Sequence, residues 1–477
     1  MSTVSRFTLL CAIAMAGCTV GPNYQKPDLS SALPAHYPET GSGTTQPRPT
    51  AGTGHWWEAF HDPAMDQLVE TALQRNLDLA SADASIRQAR AQFQIIDSAN
   101  QPQLNADGRV GRDQFSKNSE NFANIPFPHP LTTFTEYRVG LDASWELDLF
   151  GRNRRSAEAA KARIGSAEFQ RQGVELSIAA EVVRNVIDYR AWHERTRNAE
   201  SMITDSQQLL DLTVLQQKAG LLSDSDVIDA TTALHQSQGN LAPLRSAEEA
   251  ALLAITVLTD QTRDQVAAII GTREQIPSVP EMPVAVGLPS DLLLHRPDIQ
   301  SAERELAAAT ADIGVAVADQ YPQLNLLADG GLDTITPGKF TQLASRYWNL
   351  GPQISVPLLS GGRLAAQVSG REAARDAALA QYRRSVLSAF ADTETALIRF
   401  EQEKQRLDQL RQASLSQRQQ LKLAEQRNQL GDTNMINVLQ ARQLAEQIND
   451  TRLASEQALA GDLTLLYKSL GGGMAQK

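Results

Sequence analysis

The chain has 477 residues, of which 42% are hydrophobic and only 5% aromatic, and its 55 acidic against 44 basic residues give a net charge of −11. That balance excludes nucleic acid as the partner, because phosphate binding needs a basic face. The length allows several domains, and the Ala-, Gln-, Leu-, Glu- and Arg-rich middle favours long helices over a compact catalytic globule.

Residues 1–17 read as a signal peptide. Arg6 precedes an apolar run, Phe7 to Ala16, too short to span a bilayer as a helix. Met15-Ala16-Gly17-Cys18 resembles the bacterial lipobox, which makes Cys18 the candidate lipidation site, carrying diacylglycerol and palmitate. The alternative is an ordinary signal peptide. Thr19 stands where an Asp would signal inner-membrane retention, so the resemblance implies the outer membrane. Both cysteines, Cys11 and Cys18, lie in this stretch, so a chain cleaved before Cys18 has no disulfide.

Residues 18–63 form a lipid-anchored, extended leader rich in Pro and Gly (Pro22, Pro27, Pro34, Pro38, Pro47, Pro49, Pro63). A helical segment follows at 64–101, with apolar positions at Leu68, Leu73, Leu77 and Ile86, and Pro102 stops it. The period then changes to two, which predicts a β-hairpin at 102–149. Tyr137, Val139, Leu141, Ala143, Trp145 and Leu147 alternate with Arg138, Gly140, Asp142, Ser144, Glu146 and Asp148. About twelve alternating residues suit a tilted membrane strand, and indoles such as Trp145 and Trp348 suit the lipid–water boundary. A soluble hairpin with one buried face is the alternative. Residues 150–262 then predict a very long helical hairpin turning near Gly220. Its first helix would be roughly 100 Å long at 1.5 Å per residue, and is too rich in charge to enter lipid. Residues 263–288, with Pro277, Pro280 and Pro283, read as a linker.

The same order then repeats: a helical segment at 289–321, a β-hairpin at 322–360, a long helical hairpin at 361–470 turning near Gly431, and a tail at 471–477. Gly140, Ser144, Leu147, Gly151, Arg152, Gly220, Val227 and Ala230 recur 211 residues later as Gly351, Ser355, Leu358, Gly362, Arg363, Gly431, Val438 and Ala441. Asp78, Ala82 and Pro102-Gln103-Leu104-Asn105 recur 220 residues later. A repeat this long is a duplicated domain-sized unit. The first hairpin loop, around Phe115 to Phe134, is nine residues longer than the second and is expected to face outside. Four strands cannot close a membrane barrel, and an open edge in lipid leaves unpaired backbone groups. Two chains would supply eight strands and three would supply twelve, so an oligomer is required.

Val20-Gly21-Pro22-Asn23-Tyr24, Trp57, Phe60, Asp62-Pro63, Gly287-Leu288-Pro289-Ser290-Asp291-Leu292-Leu293, Arg296-Pro297-Asp298-Ile299 with Ala302-Glu303, and Tyr321-Pro322 together resemble the TolC-like outer-membrane factors, specifically the NodT-type efflux lipoproteins. The resemblance covers essentially the whole mature chain. It implies an α+β membrane protein: four strands per chain and twelve in a homotrimer, forming a barrel in outer-membrane lipid that is continuous with a long periplasmic α-helical barrel. The implied function is a passive exit duct for small molecules such as drugs in a tripartite system. The partners are a periplasmic adaptor (membrane fusion) protein and an inner-membrane pump of the resistance-nodulation-division type. No cofactor and no catalytic residue are implied.

The resemblance also implies that the hairpin turns carry the gate and the adaptor contact. The matching tips are Gly220, Leu221, Leu222 and Ser223 in copy one, and Gly431, Asp432 and Thr433 in copy two. Glycine there suits a left-handed helix cap whatever the function, but Leu221 and Leu222 at an exposed turn point to a partner. A family Leu-Asp-Ala-Gln run reads Leu439-Gln440-Ala441-Arg442 here, so Gln440 replaces the acidic residue, whereas Ile228-Asp229-Ala230 keeps it. Asp224, Asp226 or Asp229 would then supply a cation-selective ring and Ile436 an apolar constriction. Equally, these Asp residues can be helix N-terminal charges.

The seven His are scattered, without metal-ligand spacing, and there is no Walker loop, dinucleotide fingerprint or G-x-S-x-G, which argues against an enzyme. Two other readings remain: the duct of a type I protein secretion system, and a periplasmic coiled-coil adaptor or scaffold.

Overall fold

The computed structural model describes residues 19–29, 34, 55–114, 116, 133–271, 275–279 and 289–472. The predicted signal peptide, Cys18, most of the first hairpin loop and the end of the tail lie outside the described residues. The described parts form two compact units, one from Met1–Pro27, Ile86–Ser166 and Glu303–Gln381, the other from Asp28–Ser85, Ala167–Ala302 and Tyr382–Lys477.

The element order is α1 (Pro63–Arg75), α2 (Leu77–Asp97), β1 (Gln103–Gln114), β2 (Thr133–Leu147), α3 (Arg152–Lys218), α4 (Asp224–Thr259), α5 (Arg263–Ile270), α6 (Leu292–His295), α7 (Pro297–Ala318), β3 (Gln323–Thr334), β4 (Arg346–Ser355), α8 (Arg363–Gln429) and α9 (Met435–Ser469). The two long helices α3 and α8 each hold 67 residues, so the duplication preserves the length of this element.

In the first unit, the strands form one antiparallel sheet in chain order β1-β2-β3-β4. The register sorts side chains by chemistry. Leu104, Leu141, Trp145, Leu326, Leu350 and Ile354 share one face and are exposed. On the other face a cross-strand row runs Asn105, Asp142, Asp329, Asn349, with Asn105 Nδ2 donating to Asp142 at 3.1 Å. Arg138 lies over the Tyr347 ring at 4.5 Å and its Nε donates to the Tyr347 hydroxyl at 2.9 Å. Gly140 is required beneath that stack, because a Cβ there would meet the Tyr347 hydroxyl oxygen. Trp348 is 80% exposed on the apolar face, while the Trp145 indole donates to the Asn100 carbonyl at 3.1 Å. The predicted hairpin at 322–360 overshoots, since β4 ends at Ser355. Pro357 has no N–H with which to extend the ladder.

The start of the described chain is bound into this unit. Val20 N donates to Phe150 O at 3.1 Å. The buried Arg155 guanidinium donates to Val20 O, Gly21 O and, at 2.6 Å, Asn23 Oδ1. Gly21 sits at φ +85° against the Gly314 backbone, where any side chain would collide, and Tyr24 donates to Glu303.

In the second unit, three expectations are corrected. The helical segment from Ala64 to Asn100 is two helices, because Asn76 adopts an extended conformation, ends α1, and accepts from Asp78 N at 2.8 Å to cap α2. The linker at 263–288 begins with a helix. Thr262 and Gln265 form a capping box for α5, whose Val266 and Ile270 are buried where it packs on α1 and α4. The leader is not extended throughout. Trp56–Phe60 is a 3-10 helix with Trp56, Trp57 and Phe60 buried, and Trp56 stacks on Tyr467 with centroids 5.4 Å apart.

One buried ion pair ties these segments together. Asp62 accepts from Ala64 N and Met65 N, capping α1, and also pairs with Arg190 of α3; both side chains are only 1% exposed. Arg296, itself largely buried, ties α7 and α8 to the end of α9, donating to Ser469 O at 3.3 Å and pairing with the more exposed Asp298 and Asp392. Breaking a buried pair leaves an uncompensated charge, which costs about 3–5 kcal/mol. Asp62→Ala is therefore expected to lower unfolding stability by about that amount in chemical denaturation. The Asp62→Ala/Arg190→Met double variant should recover most of the loss, but not the cap, worth about 1 kcal/mol.

Candidate functional site

The two hairpin turns use the same backbone device. Gly220 (φ +76°) and Gly431 (φ +80°) take the left-handed conformation. Leu221 N then donates to Gln216 O at 2.9 Å and Asp432 N to Arg427 O at 2.8 Å, closing the helix with the doubled Schellman bonds. No atom lies within 4 Å of a Cβ added at either glycine, so the dihedral, and not crowding, selects glycine.

The return helices are capped differently. In copy one, the Ser223 hydroxyl accepts from Asp226 N, and Asp226 Oδ2 accepts from Ser223 N at 2.8 Å and from Ser223 Oγ at 2.7 Å. These bonds from the Ser223 hydroxyl and amide hold the Asp226 carboxyl below its ordinary pKa. In copy two, Asn434 Oδ1 accepts from Asn437 N at 3.0 Å, and Asn437 Nδ2 donates to Thr433 Oγ1 at 2.7 Å. The 211-residue offset turns Asp224, Asp226 and Asp229 into Met435, Asn437 and Gln440. The carboxylates at the start of the return helix thus belong to copy one, while copy two carries its acidic residue in the turn itself, at Asp432.

The predicted site residues divide accordingly. Asp226 is engaged in the cap, and Asp224 accepts from Gln217 Nε2 at 2.9 Å. Asp229 is exposed and, among the described residues, has no hydrogen-bond or ion-pair partner. Leu221 is 73% exposed, and Leu222, Thr433 and Ile436 are half-buried. Gln440 lies apart from the copy-one carboxylates in one respect. It lines a cleft of about 770 Å³ between α3, α4 and α9 with Gln443, Gln236 and Asn240, and none of Asp224, Asp226 and Asp229 does. Among the described residues no group of three His, Cys, Asp or Glu is placed to hold a metal ion.

Sequence reading missed a polar seam joining copy one to copy two. Arg442, Gln443, Glu446, Asn449, Asp450 and Gln457 of α9 face Asp205, Ser206, Ser201, Asn198, Arg195 and Asp188 of α3 in antiparallel order. Arg195 and Asp450 pair bidentately at 2.8 and 3.0 Å. Gln443 Nε2 donates to Ser206 Oγ at 2.9 Å, and Gln457 Nε2 to Asp188 Oδ1 at 2.7 Å. The only signal in the sequence was the spacing 442, 446, 449, 450, one face of one helix.

A family model described as outer membrane efflux protein matches residues 68–260 and 288–472, one match for each copy. The pyoverdine export outer membrane protein OpmQ of Pseudomonas aeruginosa is 28% identical over 99% of this chain and 97% of its own length. Nodulation protein T of Rhizobium leguminosarum bv. viciae is 27% identical over 97% of this chain and 92% of its own. The solved outer-membrane channel OprN superposes with a TM-score of 0.82 at 31% identity, covering 95% of this chain and 99% of that one.

Removing a serine cap costs about 1 kcal/mol, a factor of about five in a local opening equilibrium. Ser223→Ala should therefore speed amide exchange about fivefold in the first turn of α4 and leave its later turns unchanged, as read by hydrogen–deuterium exchange.

Proposed function

This chain belongs to the outer membrane efflux protein family, and we propose that it is the exit duct of a tripartite efflux system, passing small molecules out of the cell without chemistry of its own. It is a protein of the outer membrane whose helical part extends into the periplasm. The observation that carries the proposal is a four-stranded sheet with one apolar and one charged face, ending in two open edges, on the same chain as two long helical hairpins.

In lipid the N–H and C=O groups along β1 and β4 need partners, and only barrel closure provides them. Three chains would give twelve strands, with the Asn105–Asp142–Asp329–Asn349 row facing a water-filled lumen. A homotrimer is therefore part of the reading. In this reading Cys18 carries the lipid anchor. The binding of Val20 at the foot of β2 supports it, because a residue two positions from Cys18 is held beside the end of the sheet.

The tips Gly220, Leu221, Leu222, Ser223, Gly431, Asp432 and Thr433 would meet a periplasmic adaptor, and through it an inner-membrane pump of the resistance-nodulation-division type. The exposed Leu221 supports this contact. That the Pseudomonas aeruginosa relative is named for pyoverdine export, and not for export of a protein, favours small molecules over a protein cargo. Of the acidic candidates, Asp229 is the one with a free carboxylate, so three copies of it would form the selective ring, with Ile436 as the apolar constriction.

A strain lacking the protein should accumulate the pump's substrates. Wild type should restore export, while Leu221→Asp, in a protein that still reaches the outer membrane, should not. In planar bilayers Asp229→Ala is expected to lower cation selectivity while keeping the pore. Unchanged selectivity would remove the ring and leave the duct.

A further inference from the structure

Two carboxyl groups meet inside the polar seam. Asp205 of α3 is 3% exposed, and its Oδ2 is buried without a hydrogen-bond partner. Glu446 of α9 also has one buried, unpartnered oxygen, Oε2. Their other oxygens are satisfied: Asp205 Oδ1 accepts from Arg442 Nη1 at 3.2 Å, and Glu446 Oε1 from the Ser201 hydroxyl. Ser201 and Asp205 lie one turn apart on α3, as Arg442 and Glu446 do on α9, so the Ser201–Glu446 and Arg442–Asp205 bonds bring the two carboxyls together. Two buried carboxylate oxygens without a donor, side by side, cost free energy unless something positive lies between them.

The charged groups around the pair do not supply it. From α9, Arg442 is the nearest cation, and it is divided between Asp205 and Glu425 of α8, which accepts from Arg442 Nη2 at 3.4 Å. Asp450, further along α9, is already paired with Arg195 of α3. From α4, Ser237 reaches the seam, where its hydroxyl meets Ser206 at 3.3 Å. Three carboxyls therefore share one guanidinium.

We propose that Asp205 and Glu446 form a proton-binding site, holding one proton between them and so clasping copy one to copy two. The proton bridges the two orphaned oxygens as an O–H donor from one carboxyl to the other. Burial, with the Asp205 charge adding to it, keeps the Glu446 carboxyl protonated above its ordinary range. The sign follows. The folded seam binds more protons than the unfolded chain between the ordinary and the raised value, so its stability falls as pH rises through that interval and is level above it. The clasp is tightest in acid.

The test is thermal unfolding of the detergent-purified, full-length protein across a pH series. Wild type should lose stability as pH rises through the titration of the pair. Glu446→Gln, whose amide donates to Asp205 as the protonated carboxyl does, should remove one group's share of that slope and raise the unfolding midpoint at alkaline pH. Asp205→Asn should flatten the same interval and stands in if the first variant does not fold. A slope equal to wild type in the folded variants would overturn the proposal. So would stabilisation of wild type by added calcium or magnesium at fixed pH that is lost in Glu446→Gln, since a metal ion, and not a proton, would then occupy the site.

Discussion

A strand edge in hydrocarbon has nowhere to hide its amides. Each unpaired N–H or C=O costs several kcal/mol there, and β1 and β4 both leave such a row open. Under the proposed threefold closure, β4 of one subunit meets β1 of the next, and the rest of the chain is constrained by that need. The register must carry apolar side chains outward on all four strands at once, which it does through Leu104, Leu141, Leu326 and Leu350. Pro352 lies in β4, an edge strand of the single chain, where its missing N–H is least costly within the subunit. The described chain near Val20 is bound to the same unit, by Arg155 and by Phe150 O.

Duplication supplies the material for both halves, but conservation of scaffold and divergence of task follow different residues. Gly220 and Gly431 stay because a positive φ is needed to end the helix in the same way. The caps keep their geometry while changing their charge: Ser223 with Asp226 in one copy, Asn434 with Asn437 in the other. A neutral asparagine caps a helix as well as an ionised pair does. Charge in the cap is therefore free to be assigned to one copy without loss of fold.

What could be read from the sequence was whatever depends on a local period. Tyr137 to Asp148 announce a strand, because strict alternation gives a helix no single apolar face. Proline-free, glycine-bounded stretches announce α3 and α8. The breaks were less visible. Asn76 interrupts a helix with neither glycine nor proline, because one asparagine serves as the C-cap of α1 and the N-cap of α2. The helix at Arg263–Ile270 is a single short stretch whose apolar residues acquire meaning only against α1 and α4. At the tips, the sequence left Asp224, Asp226 and Asp229 equivalent. Cap geometry separates them, since only Asp229 is left without a partner. The seam was beyond local reasoning altogether, because it depends on which two helices, more than two hundred residues apart, lie side by side.

That this stretch of the contact between α3 and α9 is held by amides, hydroxyls and ion pairs has a physical consequence. Apolar packing is broad and non-directional, so it tolerates sliding and resists separation. A polar seam is held by a few bonds of defined geometry, each worth about 0.5–1.5 kcal/mol net, and water can replace them one at a time. Such a seam fixes register firmly and separates without exposing a large apolar face. It also concentrates its weakness where bonds are incomplete, at Asp205 and Glu446. With Arg195–Asp450 and Gln457–Asp188 satisfied on one side and Gln443–Ser206 on the other, the state of that one carboxyl pair decides how strongly the middle of the seam holds.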